Sequence, residues 1–95
     1  MKIALSTQEL EELAKRFRAL ADPSRLQILA AICDQERSVQ EICDRTGLQQ
    51  GNVSKHLQLM KNAGVVACRR DGVWRYYRVI DNELLSFCSR ARTNQ

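Results

Sequence analysis

The sequence predicts one mainly helical domain with a β-hairpin towards its C-terminal end, and three observations carry that expectation. Apolar residues recur at helical spacing through most of the 95 residues. Capping residues, the single proline Pro23 and glycines punctuate those runs where helices would start and stop. An Asp71-Gly72 step lies between two stretches of strand character, which is a strong hairpin signal.

The elements follow in order. A first helix opens at Thr7, read as its cap, with Glu11 and Glu12 in the favourable first turns and Leu10, Leu13, Phe17 and Leu20 along one apolar face. The segment from Ala21 to Ser24 stops it and starts a second, with Asp22 as cap and Pro23 at the first helical position. Leu26, Leu29, Ala30 and Cys33 make the stripe of that second helix. After the polar break Asp34-Gln35-Glu36-Arg37, Ser38 caps a short third helix with Val39, Ile42 and Cys43 inward, and Gly47 ends it. A fourth helix runs from Gln50 to Ala63, with Val53, Leu57 and Met60 inward and Gln50, Asn52, Lys55, Gln58 and Lys61 outward. Gly64 supplies its left-handed stop. Val65 to Cys68 and Val73 to Val79 form the hairpin, and a last helix starts near Asp81, carries Leu84, Leu85 and Cys88 on one side, and frays over residues 91–95. About five helices and two strands in this order make a winged helix-turn-helix, a single domain spanning residues 1–95.

Charge is distributed unevenly. The formal net charge is +4, yet Arg45, Lys55, Lys61, Arg69, Arg70, Arg75 and Arg78 face only Asp71 within their stretch, which therefore carries the whole excess and more. Such a block points to an anionic partner. No apolar run is long enough to span a bilayer, and the start Met1-Lys2-Ile3-Ala4-Leu5 breaks into polar sequence too soon for a signal peptide, so a cytoplasmic protein without membrane contact is expected. The four cysteines, Cys33, Cys43, Cys68 and Cys88, form no CxxC pair, which argues against a zinc finger and against a secreted disulfide framework. There is no paired nucleophile and base, no phosphate loop and no metal cluster, so neither an enzyme nor a cofactor is expected.

Two short helices joined by a tight turn hold the second at an angle suited to a major groove. The fourth helix has the two faces such a reader needs. Gln50 and Asn52 carry amides that match adenine edges, Ser54 allows close approach, and Lys55 can take guanine or phosphate. Gly51 removes a side chain near the helix start, where amides can meet a phosphate. In the hairpin, Arg69, Arg70 and Arg75 flank the turn and present cations where a duplex backbone or minor groove would lie. Trp74 is read as packing at the base of the wing, with contact to a sugar as the alternative. A winged helix serving as a protein-interaction module is the competing reading, but a protein-docking face would show apolar anchors where this one shows amides and arginines.

The run Ala19-Leu20-Ala21-Asp22-Pro23-Ser24-Arg25-Leu26-Gln27-Ile28-Leu29, then Ser38-Val39-Gln40-Glu41-Ile42-Cys43, Asn52-Val53-Ser54-Lys55-His56-Leu57, and Arg70-Asp71-Gly72 with Tyr77-Arg78-Val79, resembles the ArsR/SmtB family of winged-helix repressors over roughly residues 8 to 90. The resemblance implies a homodimer joined through its first and last helices, bound to an inverted-repeat operator in double-stranded DNA and released by an inducer. Family DNA-contact positions fall on Gln50, Gly51, Ser54 and Lys55. His56 sits where the family often has histidine, as a packing or phosphate residue.

The family's metal sites do not carry over. Ser38 and Gln40 occupy the positions of the thiolate pair on the third helix, and the last helix offers Asp81 and Glu83, then Asn94, in place of its Asp and His ligands. Cysteines remain the sensing candidates. Members that respond to persulfides or oxidants resemble a pair with one cysteine on the second helix and one on the last, where this chain has Cys33 and Cys88. Both are displaced from the usual positions, Ala30 standing at the first. The implied inducers are arsenite or reactive sulfur species, and cysteines at this spacing also suit a plain core.

Overall fold

The computed structural model describes residues 4–93; Met1, Lys2, Ile3 and Asn94, which entered the readings above, lie outside them, as does Gln95. Five helices and three strands follow in the order α1 (Thr7–Leu20), α2 (Pro23–Ile32), β1 (Arg37–Ser38), α3 (Val39–Thr46), α4 (Gln50–Asn62), β2 (Val66–Asp71), β3 (Trp74–Val79) and α5 (Asn82–Thr93).

The helix starts follow from side-chain caps. Ser6, not Thr7, caps α1: its hydroxyl accepts from the Glu9 amide at 3.1 Å and the Glu9 carboxylate accepts from the Ser6 amide at 3.0 Å. The reason is reciprocal geometry, because three residues after Ser6 stands a glutamate that can reach back, whereas three after Thr7 stands Leu10. Asp22 caps α2 ahead of Pro23, and Ser38 caps α3 in a second capping box with Glu41, as the residue types predict. Gly47 and Gly64 take φ of +75° and +79°, closing α3 and the turn after α4 in the left-handed region that favours glycine.

The buried centre is formed by Ile28 and Ile32 of α2, Ile42 of α3, Val53, Leu57 and Met60 of α4, and Val65 and Val66 at the start of β2. The inward set of α4 is as expected. That of α2 is not: Leu26 is 49% exposed and Ala30 is exposed, while Ile28, Leu29, Ala31 and Ile32 are buried. Apolar residues occur on all sides of α2, so periodicity alone selects no face, and contact with α3 and α4 decides.

β1 is the other departure from the sequence reading. Residues read as a polar break and a cap form a short edge strand that completes an antiparallel sheet in the order β1-β3-β2, Arg37 opposite Tyr77 and Ser38 opposite Tyr76. Arg37 is buried at 4% exposure because its guanidinium is used within the fold: Nε donates to the Ala31 carbonyl at 2.7 Å and Nη2 meets the Asp34 carboxylate at 3.4 Å. Ser38 thus belongs at once to the sheet and to the cap of α3.

Candidate nucleic-acid interface

The hairpin register aligns Val66 with Val79, Cys68 with Tyr77 and Arg70 with Arg75 on one face, and Ala67 with Arg78, Arg69 with Tyr76 and Asp71 with Trp74 on the other. Val66, Tyr77 and Val79 of the first face are buried against the helices. Its continuation at the tip brings Arg70 and Arg75 directly opposite each other, both exposed and neither paired with a carboxylate among the described residues. Like charges in cross-strand register repel. Burial pushes the Tyr77 phenol above its ordinary value, the neighbouring Cys68 thiol adds to this, and Arg75 on the same face pulls it back.

Arg69 has a different place. It crosses the outer face of the sheet, its guanidinium carbon 4.7 Å from the Tyr76 ring centre, and meets Glu36 through Nη2 at 2.6 Å and Nε at 3.1 Å. The hydrogen bond to Arg69 holds the Glu36 carboxyl below its usual range and raises Arg69 in turn. Among the three wing arginines expected to meet a duplex, this one is already engaged in holding the hairpin to the segment before β1.

The wing tip lies beside the start of α4. A small hollow of about 170 Å³ is lined by Val39, Gln40, Gln50, Val73, Trp74 and Arg75, so the wing, α3 and α4 share a wall. Gln50, which lines it, and Gly51, Asn52, Ser54 and Lys55 further along α4 are all exposed. At Gly51 an added Cβ would meet nothing within 4 Å, leaving the first turn of α4 open to close approach. Gln49, the residue before α4, makes no side-chain cap, so the first turn of this helix lacks the side-chain acceptor that α1, α2 and α3 each have. Trp74, expected at the wing base, is instead 52% exposed near the tip, and Val73 is 92% exposed. The strand begins at Trp74 immediately after the turn, and α3 and α4 reach only one side of it through Val39, Gln40 and Gln50.

His56 follows Lys55 in α4 but, unlike it, is not exposed. It is half-buried, with Nδ1 3.3 Å from Nη1 of Arg25, whose Nε donates to the Ala19 carbonyl at 2.6 Å and whose Nη2 donates to the Arg18 carbonyl at 3.2 Å. Arg25 thereby satisfies carbonyls at the C-terminal end of α1 and braces α4 through the histidine.

Away from the wing, Cys33 follows the last turn of α2 and Cys88 lies on the inner side of α5; the two are joined by a disulfide, with Cα atoms 5.6 Å apart. Cys43 and Cys68 are free and half-buried. Asp81 caps α5 through the amides of Glu83 and Leu84 and binds Arg16 of α1 at 2.9 Å. Burial resists its ionisation, but the Arg16 bond and those amides prevail and hold its carboxyl below the ordinary value. Among the described residues no three of His, Cys, Asp and Glu gather as a metal site, and no helix is long and apolar enough to cross a membrane.

Comparison with known proteins agrees with this arrangement. The model of the bacterial regulatory protein, arsR family, matches residues 22–67, the stretch from the cap of α2 into β2. An uncharacterized HTH-type transcriptional regulator of Methanocaldococcus jannaschii is 33% identical over 78 residues, 81% of this chain and 88% of that one. The probable mercury resistance operon repressor of Streptomyces lividans is 40% identical over 79 residues; the match takes in 83% of this chain and 63% of the longer relative. Among solved structures, the homodimeric winged helix-turn-helix DNA-binding domain of a possible ArsR-family regulator from Mycobacterium bovis superposes with a TM-score of 0.80 at 30% identity, covering 97% of this chain and 88% of that one. With its five helices, its cationic wing and these relatives, the chain belongs to the ArsR/SmtB family of winged helix-turn-helix transcriptional regulators.

Proposed function

We propose that this protein is a homodimeric repressor that grips an inverted-repeat operator through α4 and the wing and lets go when Cys33 and Cys88 change state. The observation that carries the DNA-binding half is the Arg70–Arg75 pair, two like charges held opposite each other beside the uncapped start of α4. A phosphate between them relieves their repulsion, and the first-turn amides of α4 add dipolar attraction. Arg70 and Arg75 act on the backbone and Lys55 supplies a further cation, while Gln50, Asn52 and Ser54 read base edges, with Gly51 admitting the duplex. Arg69 and His56 support that surface from behind, through Glu36 and Arg25.

Dimerisation is supported by exposed apolar residues on the first and last helices, Leu10 and Phe17 on α1 with Leu85 and Phe87 on α5; Phe17 is 63% and Phe87 57% exposed. An isologous contact through these helices covers both sets at once. The M. bovis domain of the same fold is a homodimer.

The sensing half rests on the neighbouring Cys33 and Cys88. Forming their disulfide removes two electrons and two protons, which a polysulfide or peroxide takes up; arsenite instead caps both thiols of the reduced protein. Either event alters how α5 sits on α2 beside the dimer contact, and so the spacing of the two reading helices. The S. lividans relative, a probable mercury resistance repressor, makes mercuric ion a third reagent to try. The test measures release of an operator duplex by polysulfide, arsenite and mercuric ion from wild type and from Cys33→Ser and Cys88→Ser. About a hundredfold loss of affinity is expected in the wild type, equivalent to about 2.7 kcal/mol, and little in either variant. Full release from Cys88→Ser would overturn the thiol mechanism.

A further inference from the structure

Between the second half of α1 and the outer side of α4 runs an open groove of about 900 Å³. Its floor is apolar: Ala19, Ala21 and Ala63, with Leu59, which lies in the last turn of α4 and is 43% exposed. Its rim carries four cations, Lys15 and Arg18 from α1, Arg25 from α2 and Lys55 from α4, and no carboxylate. None of the four is in an ion pair among the described residues. Cations gathered around an apolar floor repel one another and attract an anion, and the apolar floor distinguishes that anion from a bare phosphodiester. The volume falls within the range of small-molecule sites.

We infer that this groove binds a small amphipathic anion, a carboxylate or sulfonate on an apolar body, and that its occupant competes with DNA for Lys55. The body covers Leu59 and the alanines, and the charged end lies between Lys15, Arg18 and Lys55. Lys55 stands at the junction of the groove and the proposed reading face, one turn from Leu59, so an anion that engages it withdraws a cation from the duplex. The competition rests on the DNA-binding reading above; the binding itself does not.

The test uses 8-anilinonaphthalene-1-sulfonate as probe and N-phenyl-1-naphthylamine, the same rings without the sulfonate, as its neutral counterpart. Fluorescence titration of the full chain should give saturable binding of the sulfonate with one site per chain, and markedly weaker binding of the neutral amine. Lys15→Gln/Arg18→Gln should weaken the sulfonate about tenfold, the loss of two charge-assisted contacts, and Leu59→Asn should weaken it as well. Circular dichroism and a thermal melt verify that both variants are folded. None of these residues belongs to the proposed reading face, so both variants should hold a duplex as wild type does when no probe is present. With probe, the wild type should lose duplex affinity and the variants should retain it. Sulfonate binding that is absent, or unchanged in both variants, or matched by the neutral amine, would overturn the site. Probe binding that leaves duplex affinity intact would overturn the competition. Failure of the untreated wild type to bind any duplex would count against the DNA-binding reading and leave the groove result standing.

Discussion

Replacing Arg75 by glutamine removes one charge from the Arg70–Arg75 pair while keeping a polar, unbranched side chain at the exposed tip. If Lys55, Arg70 and Arg75 each neutralise one phosphate in each of two protomers, six counterions leave a duplex on binding, and log K falls against log salt with a slope of about −5. Between 50 and 200 mM salt that amounts to about a thousandfold loss of affinity. Arg75→Gln removes two of the six contacts and should bring the slope to about −3.5. Because backbone contacts carry no sequence information, any duplex long enough for both half-sites will do, and fluorescence anisotropy of a labelled duplex across a salt series is sufficient. Arg69→Gln is the internal control: Arg69 is bound to Glu36 at 2.6 Å, so its loss should leave the slope close to wild type. Parallel salt lines for wild type and Arg75→Gln, or a larger change for Arg69→Gln than for Arg75→Gln, would refute the assignment of the wing's inner face to the backbone.

Other outcomes follow from the same geometry. The disulfide closes a separation of 55 residues, and chain entropy places its contribution at up to about 4 kcal/mol, so the urea midpoint at fixed protein concentration should fall when the protein is reduced and should not respond to reductant in Cys88→Ser. Asp81, its side chain only 7% exposed and bonded to Arg16, has a lowered pKa; the stability it adds is present above about pH 4 and disappears as the pH falls through that lowered value. Asp81→Asn should flatten that part of an acid titration and cost about 1–3 kcal/mol in urea unfolding at neutral pH. Trp74 is the chain's one tryptophan, so its fluorescence reports on the wing alone; acrylamide quenching should drop when a duplex is added, and unchanged quenching under saturating duplex would place the tip away from DNA.

How much was legible in the sequence depended on the range of the physics involved. Helix starts are written within four residues, and Asp22, Ser38 and the glycines at 47 and 64 act as their types predict. The inward set Val53, Leu57 and Met60 was readable because α4 is amphipathic, while the face of α2 was not, because Leu26 and Ile28 are equally apolar and only the neighbouring helices choose between them. Two-residue β1 escapes any periodicity. Arg69 is equally opaque: its identity suggests phosphate, and its actual partner, Glu36, stands 33 residues earlier. The adjacency of Cys33 and Cys88 likewise joins positions 55 residues apart, which spacing does not encode.

β1 has a further consequence for how such a domain can be rewritten. Arg37 is anchored to the end of α2 through the Ala31 carbonyl and faces Tyr77 across the sheet, and Ser38, next to it, is both a rung of that sheet and the cap of α3. The hairpin is therefore mounted on the helical body chiefly at its root, while its tip shares only a shallow wall with α3 and α4. Residues 70–75 form an interchangeable bit on a fixed chuck: their charge and shape can be altered to suit another duplex while the angle of presentation is kept, so long as Arg37, Ser38, the Arg69–Glu36 pair and the buried Val66, Tyr77 and Val79 are left in place.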